Sequence, residues 1–265
     1  MQRFVRTPLL VWLALVPALW GQNDCRPLAP CYTAAGLVNS ASGEAGFLAP
    51  YTFATLYGTN LSYNTRGRTN EDALPGIGGV NILVGGVAAM IFYASPGQVN
   101  FLVPVSIRAG EVTLQVTREG VFGPALRVRL AEFAPALFCF LQQPDQAVAQ
   151  RMPDFAPATS EAPARPGEYV ILYATGLGNY SVPVGDYVPP PSARQIQSRP
   201  DFQLLLDGVP VDNSRVEYVG SVVNYWGLIQ INLKLPETIS NHPEIRIAIG
   251  AAESRAGVRL AAQPE

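Results

Sequence analysis

Gln98-Val99-Asn100-Phe101-Leu102-Val103-Pro104 and Gln230-Ile231-Asn232-Leu233-Lys234-Leu235-Pro236 are the two stretches on which the fold turns. Both read Gln-x-Asn-x-x-x-Pro. Val99, Phe101 and Val103 share one face of an extended chain, as do Ile231, Leu233 and Leu235. That two-residue period is the mark of a half-buried antiparallel strand. Two further matches lie upstream in the same order. Phe53-Ala54-Thr55-Leu56-Tyr57-Gly58-Thr59-Asn60 parallels Tyr169-Val170-Ile171-Leu172-Tyr173-Ala174-Thr175-Gly176. Val84-Gly85-Gly86-Val87-Ala88 has its counterpart in Leu206-Asp207-Gly208-Val209-Pro210. Three matches in one order predict an internal duplication, with two copies of about 100 residues, the size of a sandwich domain. The spacings between matches differ in the two copies at places that read as loops, where insertions cost little.

The rest of the chain agrees with that reading. Strand-like runs fall at 51–57, 80–84, 88–93, 98–103, 111–117 and 125–130, then at 168–174, 202–206, 215–219, 228–235, 244–249 and 257–261. Pro75-Gly76, Gly78-Gly79, Gly85-Gly86, Pro96-Gly97 and Asp207-Gly208 punctuate them as turns. With 24 Gly and 24 Pro in 265 residues, long helices are disfavoured. No segment sustains a 3.6-residue period, and only a short helical turn near 145–152 is allowed. Pro-rich residues 142–167 read as a connector, or as a loop laid over the second domain. The expected fold is all-β: two tandem immunoglobulin-like β-sandwich domains related by internal duplication, at 33–133 and at 134–265, the latter including the connector.

Residues 1–21 read as a secretory signal peptide. Arg3 and Arg6 form a positive start, and Leu9 to Trp20 is an apolar block too short to span a membrane. Cleavage after Gly21 would leave a short leader at 22–32; an uncleaved anchor is the competing reading. Cys25 and Cys31 flank a Pro-rich loop in that leader, and in an oxidising compartment they could close a small disulfide. Cys139 sits in the apolar run Ala136-Leu137-Phe138-Cys139-Phe140-Leu141 and reads as a structural thiol.

Several words in the chain resemble a known family. They are Gly36-Leu37-Val38-Asn39-Ser40-Ala41-Ser42, Leu56-Tyr57-Gly58-Thr59-Asn60-Leu61-Ser62 and Tyr93-Ala94-Ser95-Pro96-Gly97-Gln98-Val99-Asn100-Phe101-Leu102-Val103-Pro104. Pro166-Gly167-Glu168-Tyr169-Val170-Ile171-Leu172-Tyr173-Ala174-Thr175-Gly176-Leu177-Gly178 and Gln230-Ile231-Asn232 complete the set. Together they resemble the uncharacterised acidobacterial (Solibacter-type) C-terminal domain of secreted proteins, over residues 33–262. The Gly-Thr-Asn-Leu piece is similar to the TIG group of immunoglobulin-like domains. The resemblance implies an exported protein of immunoglobulin-like sandwiches, and it brings no catalytic residues with it.

Charge and composition narrow the function. With 18 basic against 20 acidic side chains, the net charge of −2 leaves no basic footprint for nucleic acid. One His in the whole chain leaves little for imidazole catalysis or a His metal cluster. Asn70-Glu71-Asp72, the densest acidic cluster, is too small for a calcium site. Thr175-Gly176-Leu177-Gly178-Asn179 follows a strand without opening a helix, so it reads as a strand-end turn rather than a phosphate loop. The Gln98/Asn100 and Gln230/Asn232 pairs point away from the apolar face and are read as fold-encoding hydrogen-bonders. Tyr180, Tyr187, Tyr225 and Trp226 fall in loop-like sequence and are the candidate binding surface, since aromatic rings on loops stack on sugars or anchor protein partners. The expected function is a secreted, non-catalytic interaction or structural module, with no catalytic, cofactor or metal site. Its partner would be an extracellular protein or glycan, with no nucleic acid and no stable membrane span after signal cleavage. The alternatives are a polysaccharide-binding module and, further off, a hydrolase.

Overall fold

A computed structural model describes residues 25–264, so the expected signal at 1–21 lies outside the described residues. The first half begins with β1 (Cys31–Asn39), β2 (Phe53–Thr59), β3 (Arg66–Gly67), β4 (Val80–Val84) and β5 (Val87–Ala88). It continues with β6 (Met90–Ala94), β7 (Gln98–Leu102), β8 (Gly110–Arg118), β9 (Val121–Phe122) and β10 (Leu126–Leu130). The second half opens with β11 (Ala136–Leu137), β12 (Cys139–Phe140), β13 (Gln143–Ala147), β14 (Ala149–Arg151) and β15 (Tyr169–Thr175). Then come β16 (Phe202–Leu206), β17 (Val209–Pro210), β18 (Val216–Ser221), β19 (Ile229–Lys234), β20 (Ile245–Ile249) and β21 (Ala252–Glu253). Among the described residues the helical elements are two single 3-10 turns, Arg199–Asp201 and Asn213–Arg215. The expectation of an all-β chain is met.

Each half stacks a front sheet on a back sheet. In the first the front order is β1-β2-β7-β6-β3, and the back order is β10-β8-β4-β5 with β9 on β8. In the second the front order is β11-β15-β19-β18 with β14 also on β15, and the back order is β17-β16-β20-β21. All named strand pairs are antiparallel, as period-two sequence requires. Between the first two sheets, Leu56, Ile91, Val99 and Phe101 meet Ile82, Val84, Leu114 and Val116. Between the second two, Val170, Leu172, Ile231 and Leu233 meet Phe202, Leu204, Ile245 and Ile247. Each such side chain, fully withdrawn from water, contributes roughly 1.5–3 kcal/mol.

The central front-sheet strands pair in the same register in both halves. Tyr57 lies opposite Gln98 and Phe53 opposite Leu102; Tyr173 lies opposite Gln230 and Tyr169 opposite Lys234. One bulge interrupts β6 between Ile91 and Tyr93, and one interrupts β18 between Val216 and Tyr218. The β4–β5 and β16–β17 hairpins close through Gly85-Gly86 and Asp207-Gly208, all four at positive φ. Two-residue turns of that shape match the twist of the strands they join.

The two halves are docked through buried groups. Tyr51, Leu102 and Val105 of the first half belong to the second half's core. Phe53 N donates to Thr175 Oγ1 at 3.0 Å across the seam, and beside it, at the start of the second half, Ala134 N donates to Gly176 O at 2.8 Å. A Cβ on Gly176, whose φ is +77°, would overlap the Ala134 carbonyl oxygen, so glycine is required there. A strap from the second half also reaches across. Asp186 accepts from Ser106 N at 3.0 Å and Ser106 Oγ at 2.7 Å, and Tyr187 donates to Ala88 O at 2.6 Å.

Three expectations are corrected. Residues 142–167 are not a bare connector: they carry β13 and β14, and Ala147, Ala149, Ala158 and Ala164 are fully buried. The same strands replace the helical turn allowed near 145–152. Their small Ala side chains let the segment lie close against the core, which made it look apolar-poor in sequence. Finally, β1 begins at Cys31, inside the expected 22–32 leader, and Tyr32 is buried with its hydroxyl donating to Pro124 O at 2.6 Å.

Candidate functional site

A concavity lies where the halves meet. It encloses about 720 Å³, within the range of roughly 300–1,000 Å³ usual for ligand clefts. Its floor is the outward face of the first front sheet. Phe53 starts β2, Phe92 is the bulge residue of β6, and Asn100 sits mid-β7. Period two sends Ala54 and Leu56 to the core and leaves Phe53 and Thr55 on the opposite face. The second half adds Phe138 and the turn bearing Asn224, Tyr225 and Trp226.

The rings form a continuous wall. Phe53 packs on Phe92 at 5.3 Å between centroids and on Phe138 at 6.1 Å, and Phe92 packs on Trp226 at 6.2 Å. Tyr225 stands at the rim with 60% of its surface exposed. The turn is held by Asn224 N donating to Pro190 O at 2.9 Å, and Asn224 itself has φ +64°. Asn tolerates that left-handed conformation better than most residues. Trp226 Nε1 is buried without a hydrogen-bond partner among the described residues.

The charged groups in the lining are already engaged. Arg68 Nε donates to Ile91 O at 2.5 Å, and its Nη2 donates to Pro75 O and Gly76 O, both at 2.6 Å. Burial pushes its guanidinium pKa down. Asp72 accepts from Thr69 N at 2.7 Å and pairs with Arg66 at 2.6 Å. The Thr69 backbone bond, foremost, holds its carboxyl below the usual carboxylate range. The rest of the lining is aromatic and aliphatic side chains with neutral polar ones, among them Asn70, Asn100, Asn224 and Tyr225.

The expected aromatic surface therefore divides. Tyr225 and Trp226 line the cavity. Tyr187 is half-buried in the strap that docks the halves. Tyr180 is not on a surface at all: it is fully buried against Tyr51, edge to face at 5.4 Å. Its place in the chain looked like a loop because residues 176–198 lack strand pattern, yet that segment lies over the second core, where Leu177 and Ile196 are buried too. Sequence reading missed the contribution of the first half. The outward positions of Phe53 and Phe92 were the available signal, but nothing in the sequence joins them to the 224–226 turn.

Cys25 and Cys31 are disulfide-bonded. Cys139 is half-buried, faces the Arg255 guanidinium at 3.8 Å, and has its thiol pKa pushed up by burial. Ser160, His242 and Asp145 line one cavity of about 400 Å³, but Ser160 donates to Glu161 at 3.0 Å and Asp145 pairs with Arg255 at 3.0 Å. No hydrogen-bonded Ser-His-Asp relay joins them. Among the described residues no group of three His, Cys, Asp or Glu could hold a metal ion, and no helix is long and apolar enough to cross a membrane.

No protein-family model and no curated protein matches the chain. Among solved structures it is similar to the surface glycan-binding protein PbSGBP-B of Prevotella bryantii, at 12% identity and TM-score 0.27, over 84% of this chain and 40% of that one. It is also similar to the SGBP-B of the Bacteroides ovatus mixed-linkage glucan utilization locus, solved with a mixed-linkage heptasaccharide. There the identity is 13% and the TM-score 0.30, over 83% of this chain and 44% of that one. The tandem Ig repeats of Dlar match at 14% identity and TM-score 0.19, over 82% and 92%. The chain spans less than half the length of the first two, and likenesses at these TM-scores carry no argument.

Proposed function

We propose that this chain is an exported, non-catalytic binding module that holds uncharged polysaccharide in the groove between its halves. The observation that carries the reading is the groove's lining. Its Arg and Asp are spent on the protein's own backbone and loops, while rings, aliphatic side chains and neutral amides make up the rest. A sugar ring offers apolar C–H faces to such rings and hydroxyls to such amides. Export is supported by the disulfide, which belongs to an oxidising compartment. Membership of the Solibacter-type exported family, and descent of the halves from one duplicated sandwich with a boundary near 133, belong to the same proposal. The repeated register and the repeated bulge support the duplication.

A glycan array holding both uncharged and uronic-acid polymers tests the function. Retention of uncharged glycans is expected, weakened roughly tenfold by Tyr225→Ala. No retention, or retention indifferent to Tyr225, would remove the groove from the account. Capture of a protein partner through the same residues would replace the glycan reading with a protein-interaction one.

A further inference from the structure

The geometry points to a second sugar-binding site, on the front sheet of the second half, built from Tyr169, Glu217 and Asn232. The inference rests on the polysaccharide reading of the groove and adds a second site of the same chemistry. Its starting point is register. Phe53 and Tyr169 open equivalent strands, opposite Leu102 and Lys234. Asn100 and Asn232 follow Gln98 and Gln230 by two residues on the partner strands. Phe92 and Glu217 are the residues skipped by the two equivalent bulges. Phe53, Phe92 and Asn100 line the groove; Tyr169, Glu217 and Asn232 line a separate cavity of about 350 Å³. The same three positions therefore shape a concavity in each half.

The chemistry at the second cavity also fits. Gln98 Nε2 donates to Asn100 Oδ1 at 2.8 Å, and Gln230 Nε2 donates to Asn232 Oδ1 at 2.7 Å. With its oxygen accepting from Gln230, Asn232 has its Nδ2 to offer as a donor. Tyr169 donates to Glu217 Oε1 at 2.8 Å, which fixes the ring and engages one oxygen of a carboxylate that has a second to accept with. Lys234 Nζ stands 5.7 Å from the Tyr169 ring centroid, a cation–π contact that further holds the ring. A ring flanked by one donor and one acceptor matches a sugar, whose neighbouring hydroxyls accept from one group and donate to the other.

Calorimetric titration of the whole chain with glucan-, mannan- and xylan-derived hexasaccharides tests this. Two sites per chain are expected for the hexasaccharide that binds. Tyr169→Ala should weaken one about tenfold and leave the other, and Tyr225→Ala should do the reverse. Tyr169→Phe, which keeps the ring and the fold but frees Glu217, should retain both sites with the second weakened severalfold. A single site untouched by Tyr169→Ala would overturn the second site while leaving the groove intact. Absence of binding by every hexasaccharide would overturn both together.

Discussion

Tyr51 and Tyr180 carry the contact between the halves at its most buried point. Their hydroxyls lie towards each other, and that of Tyr51 lies towards the Gly227 backbone N–H, without meeting strict hydrogen-bond geometry. Burial raises both phenol pKa values. A buried hydroxyl that is only partly satisfied adds little net stability, whereas the ring fills space. Tyr180→Phe is therefore expected to change the unfolding free energy by under about 1 kcal/mol, and Tyr180→Ala to cost roughly 3–5 kcal/mol, read by denaturant titration. Asp207 gives a pH handle at the same scale. Ser240 Oγ, first, and Glu244 N bond its carboxylate and hold its pKa below the usual value. The unfolded chain then binds the proton more readily, so this stability is full above about pH 4 and is lost as pH falls through the folded pKa. Melting temperatures across that window should fall less steeply for Asp207→Asn than for the natural chain, with the variant less stable near neutral pH.

Strands and turns were legible where the period was clean. In β8, Val112, Leu114 and Val116 alternate with polar residues, and β19 alternates throughout its length. β1 was not legible: its register shifts between Tyr32 and Leu37, and a bulge breaks the alternation on which a strand reading depends. β13 and β14 were hidden because Pro and Gln fill one and Ala provides much of the burial around the other. The strap at 181–192 was unreadable for a different reason, since its partners Ser106 and Ala88 are about 80–100 residues away and follow no local pattern. That strap supports a prediction of its own. Asp186→Ala removes both bonds to Ser106, and the 181–192 backbone should exchange amide hydrogens faster while β15 and β19 keep their protection. Equal rates in the variant and the natural chain would show that Tyr187 and the Pro190–Asn224 bond hold the strap alone.

At the scale of the whole molecule, two sandwiches share one seam, and the seam makes the groove. Thr175 bonds the first half, Tyr51 and Leu102 enter the second core, and the strap anchors beside the turn that carries Tyr225 and Trp226. The candidate site was half legible: the sequence singled out the 225–226 aromatics but not the first-half rings that face them. Such a site is preformed, so binding needs no closure of one half onto the other. Tryptophan occurs three times in the chain, at 12, 20 and 226, and only Trp226 follows the expected signal. In a chain begun at Gln22, Trp226 emission thus reads the groove alone. Titrating that chain with uncharged glucan, mannan and xylan is the most direct test. The account predicts a saturable emission change with at least one of them, shifted about tenfold to higher concentration by Tyr225→Ala and not produced by polygalacturonate. A flat emission trace with all three, or an equal response to the acidic polymer, would contradict it.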